Sequence, residues 1–144
     1  MKKPDFKNLL RGAGFKITPA RVELLNILWA EQKPLAVHAL EKKLKERMNE
    51  VTLYRALEAL AQARIIRRVD LGHTHAHYEM EKEHHHHLVC TDCGDIEDVE
   101  VCPLPALARE IGKGSRKFST IYSHSAEFFG LCRVCLPVRK AGSK

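Results

Sequence analysis

The sequence predicts an α+β chain in two parts: a winged helix-turn-helix over residues 1–82, then a small α/β module over residues 83–144 stapled by a metal. Three observations carry this. The first part shows successive helical apolar stripes and ends in two strand-like runs. The second part holds two identical pairs, Cys90-x-x-Cys93 and Cys132-x-x-Cys135, with His84, His85, His86 and His87 running into the first pair. The charge also divides: residues 1–82 carry 16 Lys and Arg against 10 Asp and Glu, whereas the remainder balances at 8 and 8. A basic half beside a neutral, ligand-rich half is the pattern of a polyanion reader joined to a metal module.

Residues 5–13 read as a short helix ended at Gly12 and Gly14. Thr18 followed by Pro19 is a helix start, and the helix over 19–31 lines up Val22, Leu25, Leu28 and Trp29. Pro34 breaks the chain. A third helix, about 36–47, turns Leu40 and Leu44 inward and Lys42, Lys43, Lys45 and Arg47 outward. In the next, 50–63, Leu53, Ala56, Leu57 and Leu60 gather in one sector, with Val51, Tyr54, Arg55, Glu58 and Gln62 opposite. An exposed Tyr-Arg pair suits a groove-reading helix, since Arg grips guanine edges and Tyr meets a phosphate or a thymine methyl. Residues 65–71 and 73–80 read as a hairpin turning at Gly72, with Arg67 and Arg68 placed to meet phosphates.

The polar stretch 80–84 reads as a hinge. Beyond it, 86–90, 96–101 and 119–127 read as strands, 104–111 as a helix ended by Gly112 and Gly114, and 139–144 as a disordered tail.

A Cys-x-x-Cys pair lets two thiolates reach one ion from a tight turn, and two pairs complete the closed tetrahedral shell of structural zinc. The competing reading is a disulfide framework. The N-terminus shows no secretory leader, so the expected compartment is the cytoplasm, where such pairs bind metal. Alternation along a strand sends His85 and His87 one way and His84 and His86 the other, so one run can feed two sites. His73, His75, His77 and Glu79 likewise share one parity. His124 stands eight residues before Cys132. His38 has no ligand-type neighbours and reads as a surface histidine. Cys102, the odd cysteine, reads as a small half-buried thiol.

Enzymatic turnover is not expected, because the sequence has no His-Glu-x-x-His, no phosphate-binding glycine loop and no nucleophile elbow. No apolar run approaches the ~18 residues of a membrane span.

Taken together, residues 8–136 resemble the ferric uptake regulator family of metal-dependent transcriptional repressors, whose branches include zinc uptake regulators. Four stretches carry the resemblance: residues 14–21 (Gly-Phe-Lys-Ile-Thr-Pro-Ala-Arg), residues 51–55 (Val-Thr-Leu-Tyr-Arg), the run from His84 through Cys90-x-x-Cys93-Gly94, and His124 ahead of Cys132-x-x-Cys135. The resemblance implies a homodimer, a palindromic double-stranded DNA operator, and a dimerisation role for the second module. It places structural zinc on Cys90, Cys93, Cys132 and Cys135. It implies DNA contacts from Tyr54 and Arg55, with Thr52 in the same stretch, and helpers at Lys16 and Arg21. A regulatory hinge site would use Glu79, His85, His87 and Asp98; a second site would use His84, His86 and His124. The family's hinge histidine is replaced by Pro34, so His75 or His77 is expected to substitute, and the missing acidic ligand of the second site is expected at Glu100 or Glu110. The regulatory ion is then a divalent one, zinc before iron or manganese. The other functions considered are a peroxide-sensing repressor and a metal storage or delivery protein that ignores DNA.

Overall fold

The computed structural model describes residues 2–72 and 75–136 and divides into two compact units between Lys82 and Glu83. His73 and the tail 139–144 lie outside the described residues.

The first unit runs α1 (Phe6–Gly12), α2 (Pro19–Glu31), β1 (Leu35–Ala36), α3 (Val37–Leu44), α4 (Glu50–Gln62), β2 (Ile66–Val69) and β3 (His77–Met80). Side chains start three of these helices by accepting otherwise unpaired backbone N–H groups. Asp5 accepts from Lys7 and Asn8. Thr18 accepts from Arg21 at 3.3 Å, with Pro19 in the first turn. Asn49 accepts from Thr52 at 2.9 Å. The start of α3 has no side-chain cap. Instead Leu35 and Ala36 pair with Tyr78 and His77, and the Val37 N–H donates to the Ala76 carbonyl at 3.2 Å. Strand β1 escaped the sequence reading because two residues show no period. Helix α3 also ends at Leu44, short of 47, where Arg47 and Met48 both bond back to the Leu44 carbonyl and turn the chain into the Asn49 cap.

The sheet order is β1-β3-β2. The hairpin is antiparallel, from Ile66 opposite Met80 to Val69 opposite His77, and Gly72 takes a positive φ of 68° in the connection. Leu24, Leu25 and Leu28 of α2, Leu40 and Leu44 of α3, and Leu53, Leu57 and Leu60 of α4 share one buried core with Ile66 and Tyr78. Burying those faces leaves Tyr54, Arg55 and Glu58 on the solvent side of α4.

The second unit is built on β4 (His86–Cys90), flanked by β5 (Ile96–Val99) and β6 (Glu127–Gly130), with α5 (Leu104–Gly114) between the last two in sequence. Strand β5 is antiparallel to β4 and β6 is parallel to it. Three elements differ from the sequence expectation. Strand β5 ends at Val99, not 101, where its ladder reaches His86 at the start of β4. The last strand is Glu127–Gly130, not 119–127, because the ladder to β4 runs only from Glu127 to Gly130 and residues 119–126 pair with no strand among the described residues. The helix continues through Gly112 and Gly114, each of which weakens it by only about 1 kcal/mol, and it stops at Ser115, whose Oγ accepts the Lys117 and Phe118 N–H groups. None of the α5 side chains is buried: Leu107 is 52% and Ile111 57% exposed. Val101, Phe118 and Phe129 are also exposed. The second unit thus leaves much of its apolar side-chain surface uncovered.

Replacing Leu57, fully buried in α4, by Ala is expected to cost about 2–5 kcal/mol of stability. Denaturant unfolding measures it; a loss below ~1 kcal/mol would show that the leucine stripe does not hold this helix.

Candidate metal centres and nucleic-acid face

Cys90 closes β4, and the chain reverses through Thr91–Gly94. Gly94, at φ +74°, allows that reversal, donating its N–H to the Cys90 carbonyl at 2.9 Å while the Cys90 N–H donates to the Asp95 carbonyl at 2.8 Å. The parallel ladder sets Gly130 opposite Cys90, so Cys132 arrives beside it, and its N–H donates to Cys90 Sγ at 3.3 Å. The Cys135 and Leu136 N–H groups fold back on the Cys132 carbonyl at 3.1 and 3.0 Å. Cys90, Cys93, Cys132 and Cys135 therefore present four sulfurs all within 4.8 Å of one another. Cys93 and Cys132 are 3.8 Å apart. Tetrahedral zinc–sulfur bonds of about 2.3 Å set neighbouring sulfurs about 3.8 Å apart, so the tetrad fits that ion. The thiols are unequal. Backbone N–H groups, that of Cys132 foremost and then those of Cys93 and Asp92, lower Cys90 to about 6. The Cys132 side chain and burial push Cys135 up. Sulfurs this close resist shedding every proton unless a cation shares their charge.

Strand β4 and the residue before it sort the histidines by parity. His85 and His87 share one side, their rings 4.9 Å apart. Asp98, opposite His87 in the β4–β5 ladder, brings Oδ1 to 3.5 Å from His87 Nε2, and the three donor atoms lie within 4.8 Å of one another. Glu97 instead faces Leu88 and is exposed. His85 Nδ1 meets the Glu83 carbonyl at 2.7 Å. A carbonyl only accepts, so Nδ1 carries the hydrogen and Nε2 is left as a ligand, the usual outer-shell support of a metal-binding histidine. Two buried imidazoles and a carboxylate fit a divalent ion.

On the other side, His84, His86 and His124 converge with Cys102. Neither acid expected there takes part: Glu110 is bound to Lys113 at 2.7 Å on the exposed face of α5, and Glu100 is exposed outside the cluster. The sequence holds one signal for Cys102, a cysteine unclaimed by either pair and lying between Cys93 and His124. Residue type alone does not mark it as a ligand, because an isolated thiol is so often mere packing.

In the first unit Glu79 is a buried carboxylate, 1% exposed. Its cross-strand neighbour Arg67 binds it, and Lys82 lies at 3.6 Å. Arg67 is thereby committed to an ion pair rather than turned out to phosphate, while Arg68 stays exposed. His75 meets His38 edge to face, ring centres 5.8 Å apart, and His77 is a half-buried member of β3. Thr52, Tyr54 and Arg55 are exposed on α4. Lys16 is exposed before α2; Arg21 donates to its carbonyl at 2.9 Å and covers the Phe15 ring. These side chains offer hydrogen bonds and positive charge to a polyanion.

The profile of the Ferric uptake regulator family matches residues 12–128. The ferric uptake regulation protein of Bacillus subtilis is 31% identical over 137 residues, covering 90% of this chain and 91% of its own. Among solved structures, the Vibrio cholerae ferric uptake regulator superposes with a TM-score of 0.74 at 28% identity, over 89% of this chain and all of that one. The Francisella tularensis regulator, solved with iron, gives 0.73 at 28% identity, over 85% of this chain and 96% of that one.

Cys132→Ser is expected to abolish zinc binding by the tetrad and lower the melting temperature of the zinc-loaded protein by more than ~10 °C, at ~4–8 °C per kcal/mol in a domain this small. Elemental analysis and thermal unfolding read both. The folded value of Cys90, about 6, lies below the ordinary 9.0. Its contribution to the stability of the metal-free protein is therefore present above pH 9 and lost as pH falls through 6. Unfolding free energy measured across that window should rise with pH.

Proposed function

The chain belongs to the ferric uptake regulator family, and from that premise we propose that it is a zinc-dependent repressor which binds a palindromic operator as a homodimer and silences the promoter by occupying it. Members of the family are metal-responsive transcriptional regulators, not enzymes, and they act as DNA-binding dimers. The observation that carries the reading is that one chain both displays Tyr54 and Arg55 from a helix anchored by its leucines and gathers His85, His87 and Asp98 as a donor set.

The winged-helix unit supplies the reading surface. Its α4 carries Thr52, Tyr54 and Arg55 into a major groove; Lys16, Arg21 and Arg68 hold phosphates. Arg67 supports the wing through Glu79 instead. The second unit supplies the dimer contact through the uncovered apolar side chains of α5 and its neighbours. Cys90, Cys93, Cys132 and Cys135 would hold structural zinc, which gives a unit with so little buried apolar surface its rigidity.

His85, His87 and Asp98 would hold the regulatory ion, with Glu79 the further carboxylate implied by the family resemblance. Those ligands stand on both sides of the Lys82–Glu83 junction in the chain. Binding of that ion would favour the state of the dimer in which both recognition helices meet successive grooves. Ligand-linked selection of this kind is reciprocal, so the operator must tighten metal binding by the same factor. Imidazole-rich ligation favours zinc over manganese or iron. No helix among the described residues is long and apolar enough to cross a membrane, and a DNA-bound regulator works in the cytoplasm.

Gel shifts of the full-length protein on its own promoter, with zinc, iron(II), manganese or a chelator, test the reading. Zinc should give the tightest complex and the chelator none; a protein that ignores DNA in every condition would belong to the storage or delivery class. Replacing both His85 and His87 by Ala should abolish the metal dependence while leaving the dimer intact by light scattering. Arg55→Ala should weaken specific binding by about 1–3 kcal/mol and relax sequence preference at the contacted base.

A further inference from the structure

Four side chains from four places in the second unit meet at one point. His84 precedes β4, His86 lies in it, Cys102 follows β5, and His124 precedes β6. His84 Nε2 is 3.2 Å from His86 Nε2, 3.0 Å from His124 Nε2 and 3.3 Å from Cys102 Sγ. Cys102 Sγ is 3.2 Å from His124 Nε2. His86 Nδ1 lies 2.9 Å from the Ala126 carbonyl. That oxygen can only accept, so His86 Nδ1 carries the hydrogen and Nε2 is the ring atom left to face the cluster.

Protons alone do not satisfy this geometry. His84 Nε2 carries at most one hydrogen, yet it lies within 3.3 Å of two ring nitrogens and a sulfur, so that hydrogen cannot point at all three. A cation among the four atoms satisfies them together. Zinc bonds of about 2.0–2.1 Å to nitrogen and 2.3 Å to sulfur place tetrahedral neighbours roughly 3.3–3.5 Å apart, within a few tenths of an ångström of the distances here.

We propose that Cys102 is a metal ligand, and that with His84, His86 and His124 it forms a three-imidazole, one-thiolate site that takes zinc and discriminates against manganese. The inference deepens the metal-dependent reading above and rests on it for the protein's being a metal binder, but it needs nothing from DNA binding. The thiolate supplies the negative charge that a carboxylate would otherwise bring, and the cluster contains no acid. Exchanging a hard oxygen donor for a soft sulfur shifts preference from manganese towards zinc and cobalt(II), because thiolates favour the softer ions. The same exchange makes the site depend on the thiol's oxidation state, since sulfur that has lost its lone-pair basicity no longer ligates.

Cobalt(II) reports a thiolate ligand directly, through near-ultraviolet sulfur-to-cobalt charge transfer and intense tetrahedral visible bands. The full-length protein is first loaded with zinc at the tetrad, then titrated with cobalt(II) while released zinc is measured. The hinge donors His85, His87 and Asp98 include no sulfur, so charge transfer without zinc release belongs to Cys102. The wild type is expected to show it, Cys102→Ser to lose it while retaining tetrad zinc, and excess manganese(II) to leave it unchanged. Zinc affinity at this site should fall about tenfold or more in Cys102→Ser. Charge transfer that is absent from the wild type, persists in Cys102→Ser, or appears only as tetrad zinc is released overturns the proposal. A second measurement keeps the test open should the serine variant fold poorly: alkylation of wild-type Cys102, mapped by mass spectrometry, should be blocked by zinc and restored in His124→Ala. Equal labelling with and without zinc overturns it. Loss of operator binding with these signals intact would instead refute the regulatory reading alone.

Discussion

The two-residue period of β4, together with its register against β5 and β6, is the constraint on which every donor cluster depends. Successive side chains leave a strand on opposite faces. His85 and His87 thus meet Asp98 across the antiparallel ladder, while His84 and His86 turn to Cys102 and His124. The same strand ends at Cys90, and its parallel pairing with β6 delivers Cys132 to it. A one-residue slip would exchange the two histidine faces and separate the sulfurs. The tetrad opposes such a slip, because it ties the last residue of β4 to the segment that follows β6. The three donor clusters are in this way coupled through one short strand, without any contact between their side chains being required.

The first unit reaches a fixed reading surface by another route. Its core is leucine packed on leucine, and three helix starts are set by Asp5, Thr18 and Asn49. Burial of Leu53, Ala56, Leu57 and Leu60 fixes the rotation of α4, so that Tyr54 and Arg55 point outward as a consequence of packing and not of any interaction of their own. The cross-strand pair of Arg67 with Glu79 removes one candidate cation from that surface and leaves Glu79 neutralised while buried. Such a pair stiffens the wing more than it stabilises the fold, since desolvating both charges offsets much of their attraction.

What could be read from the residues follows from how local the governing physics is. Helices α1, α2 and α4 announce themselves by caps and periodic leucines, both local. The tetrad was legible because two turns of fixed spacing suffice to define it. Non-local facts were not. Strand β1 exists only because β3 accepts it, β6 falls where β4 offers an edge, and α5 passes through two glycines that looked like a stop. Arg67 looked identical to Arg68 in the sequence; only the register that sets it opposite Glu79 separates them. Cys102 was undervalued for the same reason, because its meaning lies in His84, His86 and His124, which reach it only through the tertiary fold.

Donor chemistry separates the roles of the three clusters. Four thiolates must lose their protons before they bind, and their mutual repulsion makes the metal-free state costly, so such a shell closes and stays closed. Neutral imidazoles with one carboxylate need little deprotonation near neutral pH, so an ion can leave them without a comparable penalty. That asymmetry suits a fold that must persist while its signal comes and goes. The His84–His86–Cys102–His124 cluster lies between these limits: its single thiolate raises affinity for zinc without the electrostatic cost of four.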